Sequence, residues 1–371
     1  MNNSIDFLLE NAGPVIQYRL RKEILCEITP AEEETLLAQI YQTPYFKLVE
    51  SYAKPSGFIG HGIHGHSNIP GRVHETPLQD GETAARLLAC YAIPQAHSLV
   101  SDFVAALRNS DTLQYEIAYN KTNRVTFSNR YKEIASGNGW LLPVFTMLAL
   151  MGHGDEADVQ PFLNVCLDAF GVVLQVKSLA EILTYKPERK LKYNYPYAGA
   201  NTLYPCQYHL TMLAHTTSWR NPINRKMLVN AINAIDALTQ EDDEIVQRFR
   251  NKGMSGLGQF NKPFVPYTAA AGEWLSRKYL TELAMLGVGR EANVICTTAN
   301  YVEEQLASDG ILKGGKAPSS KYPVAYGEVF LEPNYRKKTA HTCDLTFWAV
   351  QFLHYVNHGS RQCLKTLEAR S

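Results

Sequence analysis

Apolar residues along this chain recur at spacings of three and four, and they do so in blocks. That period lets an α-helix bury one face. Three blocks share the tetrad Thr-x-Leu-Ala, at 146–149 in LPVFTMLALMG, at 211–214 in YHLTMLAHTT and at 281–284 in KYLTELAMLG. Looser copies stand at 86–89 in ARLLACYA and at 351–354 in FWAVQFLHYV. Their starts, at 86, 146, 211, 281 and 351, lie 60, 65, 70 and 70 residues apart, too far for one helix per unit. A second helical pattern fills each gap, at 97–108, 157–170, 225–238 and 291–306. The unit is therefore a helix pair followed by a polar loop, and five to six such pairs form an array.

An open solenoid needs polar capping repeats at its ends, whereas the last copy here, LTFWAVQFLHYV, is the most apolar of the set. Closure satisfies that copy better. The sequence predicts an all-α fold, an α/α toroid with inner and outer helices, as a single domain over 1–371. Ahead of the repeats, 5–42 reads as a helical segment. One short helix is expected over 6–27 with Pro14 inside it, and a second begins at Thr29, Pro30 and Glu32, a cap, a first-turn proline and a carboxylate, and runs to about Tyr41. A histidine- and glycine-rich loop occupies 55–82, the helix pairs 83–358 and a tail 359–371.

The openings of the pairs, YPCQYHLTMLAHTTSW and WLSRKYLTELAMLGVG, together with GPVIQYRLRKEIL near the start, resemble the prenyltransferase and squalene-cyclase repeat proteins. Over about residues 5–358 the resemblance implies an α/α toroid with a central cavity. It lies in the repeat texture, so it speaks to fold more than to reaction. The aspartate signatures of that family are missing. Alkene protonation uses Asp-x-Asp-Asp, and the nearest text, Gln240-Glu241-Asp242-Asp243-Glu244, lacks the first aspartate and reads as a solvated charge run. Diphosphate ionisation through magnesium uses Asp-Asp-x-x-Asp, and Val246 stands where the last acid is needed. Protein prenyltransferases hold zinc through Asp-x-Cys and a distant histidine. His341-Thr342-Cys343-Asp344 has those ligand types in another order, which leaves His341 and Cys343 as weak metal candidates.

Composition narrows the partners. Lys plus Arg and Asp plus Glu each count 36, so no net field draws nucleic acid or an anionic membrane. The stretch 186–198, KPERKLKYNYPYA, then reads as an exposed loop rather than a base-stacking platform. The longest apolar run, 140–151, is broken by Pro143 and too short to span a bilayer, and the first residues lack a secretory pattern. Seven scattered cysteines without a CxxC pair point to free thiols in a reducing compartment, the cytoplasm. No cofactor is expected, a divalent metal being the lesser alternative, and the oligomeric state is not written in the chain.

If the inner helices run parallel, the loops leading into them gather at one end and outline a pocket. The first loop brings Arg72, His74, Glu75 and Asp80, and the second brings Asn138 and Trp140. The third brings Tyr197, Tyr204, Tyr208 and His209, the fourth Tyr267, Glu273, Trp274 and Arg277, and the fifth Lys338, His341 and Asp344. From these, His74, Glu75, Asp80, Tyr208, His209 and Asp344 are the acid–base candidates. Arg72, Trp140, Tyr204, Trp274, Arg277 and His341 are the candidate substrate contacts. His61, His64 and His66 form a flap over the pocket, with metal binding as the alternative. The expectation is an enzyme acting by acid–base chemistry on a small organic substrate in a Tyr- and His-lined cavity. Two rivals stand beside it. One is a carbohydrate-active toroid, a polysaccharide lyase or glycoside hydrolase, using Glu75, Asp80, Glu273 or Asp344 as carboxylates and Tyr208 or His209 as base. The other is a non-catalytic toroid that binds a lipid or a protein.

Overall fold

The computed structural model describes residues 2–63, 77–78, 80–116, 141–185, 196–198, 204–239, 247–249, 252–254, 260, 264–268, 274–314 and 329–359. Among them the chain is helical apart from two short antiparallel strand pairs. The N-terminal helices are α1 (Asn2–Asn11), α2 (Pro14–Arg19, continued by a π-helical turn, Leu20–Leu25), α3 (Pro30–Ile40) and α4 (Pro44–Ser51). Next come α5 (Gly81–Cys90), α6 (Ser98–Arg108), α7 (Ser110–Glu116), α8 (Leu141–Leu150) and α9 (Gln160–Val173). The remainder are α10 (Gln207–Ala214), α11 (Pro222–Leu238), α12 (Trp274–Met285), α13 (Asn293–Asp309) and α14 (Ala340–His358). Strand β1 (Leu183–Tyr185) pairs with β2 (Pro196–Ala198), and β3 (Gln247–Phe249) with β4 (Lys252–Met254). The end of the stretch expected to be loop, 186–198, is thus a strand, because Tyr197 pairs with Thr184.

Local chemistry sets the helix ends. At Thr29 the side chain accepts from the Glu32 N–H while the Glu32 carboxylate takes the Thr29 N–H at 2.9 Å, so two orphan donors are satisfied reciprocally. His97 caps α6 through Nδ1, which accepts from the Leu99 N–H at 3.2 Å. The single helix expected over 6–27 is instead two. A proline has no N–H to give to a helix interior and fits the first turn, so Pro14 starts α2 and the chain breaks at Ala12 and Gly13. The buried Glu332 carboxylate accepts the Gly13 N–H at 2.6 Å, fastening this break to the far end of the sequence.

All five tetrads fall on helices, α5, α8, α10, α12 and α14. Neighbour contacts run in the order α5, α8, α10, α12, α14, α2. The helices between them lie alongside: α6 packs on α8, α9 on α10 and α11, and α13 on α12 and α14. Contacts along this series advance in step. Gln207 meets Lys278 and, one turn on, Thr211 meets Glu282, so α10 and α12 run parallel. Arg19 lies over the Phe347 ring and, one turn on, Glu23 meets Gln351, so α2 and α14 run parallel as well. The tetrads of α10 and α12 thus stand at one level, and the apolar faces of the series join a continuous core that includes Phe145, Met212, Leu283 and Phe352.

Among the described residues no helix is long and apolar enough to cross a membrane. Cys90, Cys166, Cys206, Cys296 and Cys343 are free thiols. Cys26 is disulfide-bonded, which corrects the expectation that every cysteine is free.

Candidate functional site

The first histidine of the opening loop does structural work. Gly60 adopts φ +90°, and a Cβ there would come within 2.7 Å of the Asp80 backbone, so only glycine lets this turn approach the start of α5. The loop then places the Gly62 and Ile63 carbonyls to accept the Gly81 and Glu82 N–H groups at 2.9 and 3.3 Å. His61 packs edge-on against Tyr52 with centroids 5.0 Å apart, and burial lowers its pKa. His64, His66, Arg72, His74, Glu75, Asn138, Trp140 and Glu273 lie outside the described residues, as does the acidic run 240–244. Trp274 opens α12, with its side chain outside what is described.

Several anticipated acid–base groups are engaged by their own helices. Asp80 is buried and caps α5, its Oδ1 accepting from the Thr83 N–H at 2.9 Å and the Thr83 hydroxyl at 2.8 Å. His209, fully buried, accepts the Cys206 N–H on Nδ1 at 3.0 Å, and burial lowers its pKa to about 3. The first turn of a helix leaves N–H groups without partners, and polar side chains beside it are drawn there before they reach a ligand. Tyr204 is buried, and its hydroxyl finds no hydrogen-bond partner among the described residues. The His341 ring meets the Gly314 carbonyl at 3.1 Å, and Cys343 packs in the core with its thiol pushed up to about 11 by burial. Among the described residues no three His, Cys, Asp or Glu side chains are grouped to hold a metal ion. Asp80→Ala is expected to lose at least about 1 kcal/mol in urea titrations, the worth of a helix cap.

A cavity of about 500 Å³ opens between α2, α5, α12 and α14. Two of the anticipated residues, Arg277 and Asp344, line it. Its polar wall also includes Arg19, Glu23, Arg86, Lys278, Glu282 and Gln351, none of them among the site candidates the sequence offers. Phe330, Phe347, Trp348, Leu88, Leu150 and Met285 supply apolar surface. A second, much smaller space is walled by Glu82, Thr146, Tyr208 and Thr211, with Arg86 and Lys278 shared between the two. Burial and the Glu82 carboxylate hold the Tyr208 hydroxyl well above the usual tyrosine range. Among the described residues the polar groups of this cavity are chiefly arginine, lysine and carboxylate. Histidine is represented by His215 and His354 and tyrosine by Tyr355.

The charges are ordered into two sets. On α2, Arg19 makes a two-pronged contact with Glu23 at 3.1 and 2.9 Å and gives its remaining nitrogen to the Cys90 carbonyl at 3.1 Å. Deeper in, Glu282 gathers partners from three helices: Arg86 of α5 at 3.5 Å, Lys278 of α12 at 3.8 Å, and the Thr211 hydroxyl of α10 at 3.0 Å from each oxygen. Lys278 also donates to the Gln207 side-chain oxygen at 3.4 Å. Two buried cations flank the Glu282 carboxylate, and the buried Glu82 carboxylate faces Lys278 as well. Burial first, and the neighbouring Arg86 second, lower the Lys278 pKa to about 8.

A sequence signal for this site does exist. The first residue of every tetrad, Arg86, Thr146, Thr211, Thr281 and Gln351, lines one of the two spaces. The position was read as a helix marker, and it is also the inward-facing one.

No family model, no curated protein and no solved structure matches this chain.

Proposed function

We propose that the chain is a single-domain α/α toroid of the prenyltransferase and cyclase type that binds a small, anionic organic substrate in its central cavity and acts on it by proton transfer. The in-step contacts between α10 and α12 and between α14 and α2 support the ring. So does the Arg19 bond to the Cys90 carbonyl, which ties the first inner helix to the next. The five free thiols support a cytoplasmic placement, and the disulfide at Cys26 speaks against it.

One observation carries the reading of the site: Arg86 and Lys278 converge on Glu282 in the wall of the 500 Å³ cavity. An isoprenoid hydrocarbon is served by aromatic and aliphatic walls alone, and burying charge without purpose is costly. A phosphate or carboxylate placed here gains charge-assisted hydrogen bonds from cations that have already lost their water. To Glu282 and Asp344, carboxylates of the cavity wall, we assign the proton transfer, with Arg277 at the same wall to hold the anionic group.

Titration calorimetry at low salt tests this with inorganic pyrophosphate, galacturonate and glucose as probes. The anionic probes are expected to bind and glucose to give no heat. Arg86→Gln is expected to weaken anion binding by roughly 10–100-fold, the worth of a hydrogen bond to a charged group. Arg277→Gln gives the same comparison at a less buried residue. Equal binding of glucose, or anion affinity unmoved in both variants, would contradict the proposal.

A further inference from the structure

Among the described residues Lys278 is the one amine of the cavity wall set deep in the core, since Lys22, which also lines the space, turns to Glu33 at 2.5 Å and to the Tyr18 hydroxyl. It stands at the junction of the two spaces, one helical turn before Glu282 and held between Gln207 and the Tyr279 ring, whose centroid lies 5.1 Å from Nζ. Its ion pair with Glu282 is loose, at 3.8 Å, and the same carboxylate also accepts the single Thr211 hydroxyl proton, shared between its oxygens, and faces Arg86.

We infer that Lys278 is a nucleophile that forms an imine with a carbonyl-bearing anionic substrate, the neighbouring arginines holding the anionic group and Glu282 relaying the protons. The substrate class follows from the surroundings: an amine beside arginines selects an aldehyde or ketone that carries a carboxylate or phosphate. This inference rests on the proposed anion site. The Nζ lone pair forms the C–N bond as the C=O π bond breaks. Both amine hydrogens then leave with the carbonyl oxygen as water, each carried across by the Glu282 carboxylate, which ends as it began. No oxidant or reductant is consumed.

A nucleophilic lysine must be neutral when it attacks, and enzymes reach that state by desolvating the amine or setting it near another cation. Both devices are present, burial of Lys278 and the Arg86 guanidinium. The charged and titratable groups facing the amine are Arg86, Glu82 and Cys90 of α5, Tyr208 of α10, and Tyr279 and Glu282 of its own helix. With a pKa of about 8, on the order of a tenth of the amine is neutral at pH 7, against well under a thousandth for an ordinary lysine.

The test uses the full chain with glyoxylate, an aldehyde that bears a carboxylate, followed by borohydride, which reduces the imine to a stable carboxymethyl amine. Peptide mapping by mass spectrometry is expected to find Lys278 modified first, at a rate that rises with pH around a midpoint near 8. Pyrophosphate is expected to protect it. Lys278→Arg keeps the charge and is expected to lose that adduct with an unchanged melting curve. Modification spread over exposed lysines with Lys278 untouched in the wild type would overturn the inference, whatever the variant does. If pyrophosphate binds by calorimetry yet Lys278 is unmodified, the imine falls and the anion site stands; if neither occurs, both fall.

Discussion

Replacing Glu282 by alanine is expected to lower the free energy of unfolding by about 3–5 kcal/mol, because the variant leaves two desolvated cations without their shared partner. Arg86, Lys278 and Glu282 are all nearly buried, and they come from two helices that do not neighbour each other in the contact series. The companion Glu282→Met/Lys278→Met double variant removes one cation with the anion and is expected to recover a large part of the deficit, as buried ion pairs are often replaceable by apolar side chains of similar volume. Urea denaturation of the three proteins at pH 7 measures both. A loss under 1 kcal/mol for Glu282→Ala would mean that water entering the cavity solvates the cluster.

Acid is expected to destabilise the fold through His209, and the direction follows from its burial. The folded pKa is depressed to about 3, whereas the unfolded imidazole keeps the ordinary value of 6.5. Above pH 6.5 both states carry a neutral ring, and the contribution is fully present. As the pH falls below 6.5 the unfolded chain binds a proton that the folded chain refuses, so stability drains away until the pH approaches 3. Between pH 7 and pH 4.5 the linkage is about 2–3 kcal/mol. His209→Asn keeps an acceptor for the Cys206 N–H and removes the titration. Plotted against pH, the wild-type unfolding free energy is expected to fall more steeply than that of the variant. Parallel curves would show that the imidazole takes up its proton in the folded state.

The helical character of the chain and the start of α3 were legible because their determinants are local. The 3.6-residue period, the Thr29–Glu32 capping box and the His97 cap are each settled within a few residues of chain. The break at Pro14 follows from a local rule, the missing N–H, whereas the contact that fastens it, Gly13 to Glu332, spans more than three hundred residues and leaves no local pattern. The cavity was less legible for the same reason. Arg19 and Glu23, Glu82 and Arg86, and Lys278 and Glu282 all sit four apart, the spacing of ordinary solvated pairs on a helix surface. What sets these apart is that their helices face one another across a shared space, and no local pattern records that. Conversely, Asp80 and His209 look catalytic in the sequence because titratable groups cluster at helix starts. The structure gives each a backbone N–H to satisfy.

The most direct test of an anion-binding cavity is an anomalous-scattering map from crystals soaked in selenate, a tetrahedral dianion whose selenium identifies itself. The expected result is a peak inside the cavity, within hydrogen-bonding distance of Arg86, Arg277 or Lys278, that disappears in Arg86→Gln crystals. Selenium found on the outer surface alone, with the cavity empty of it at saturating concentration, would contradict the account.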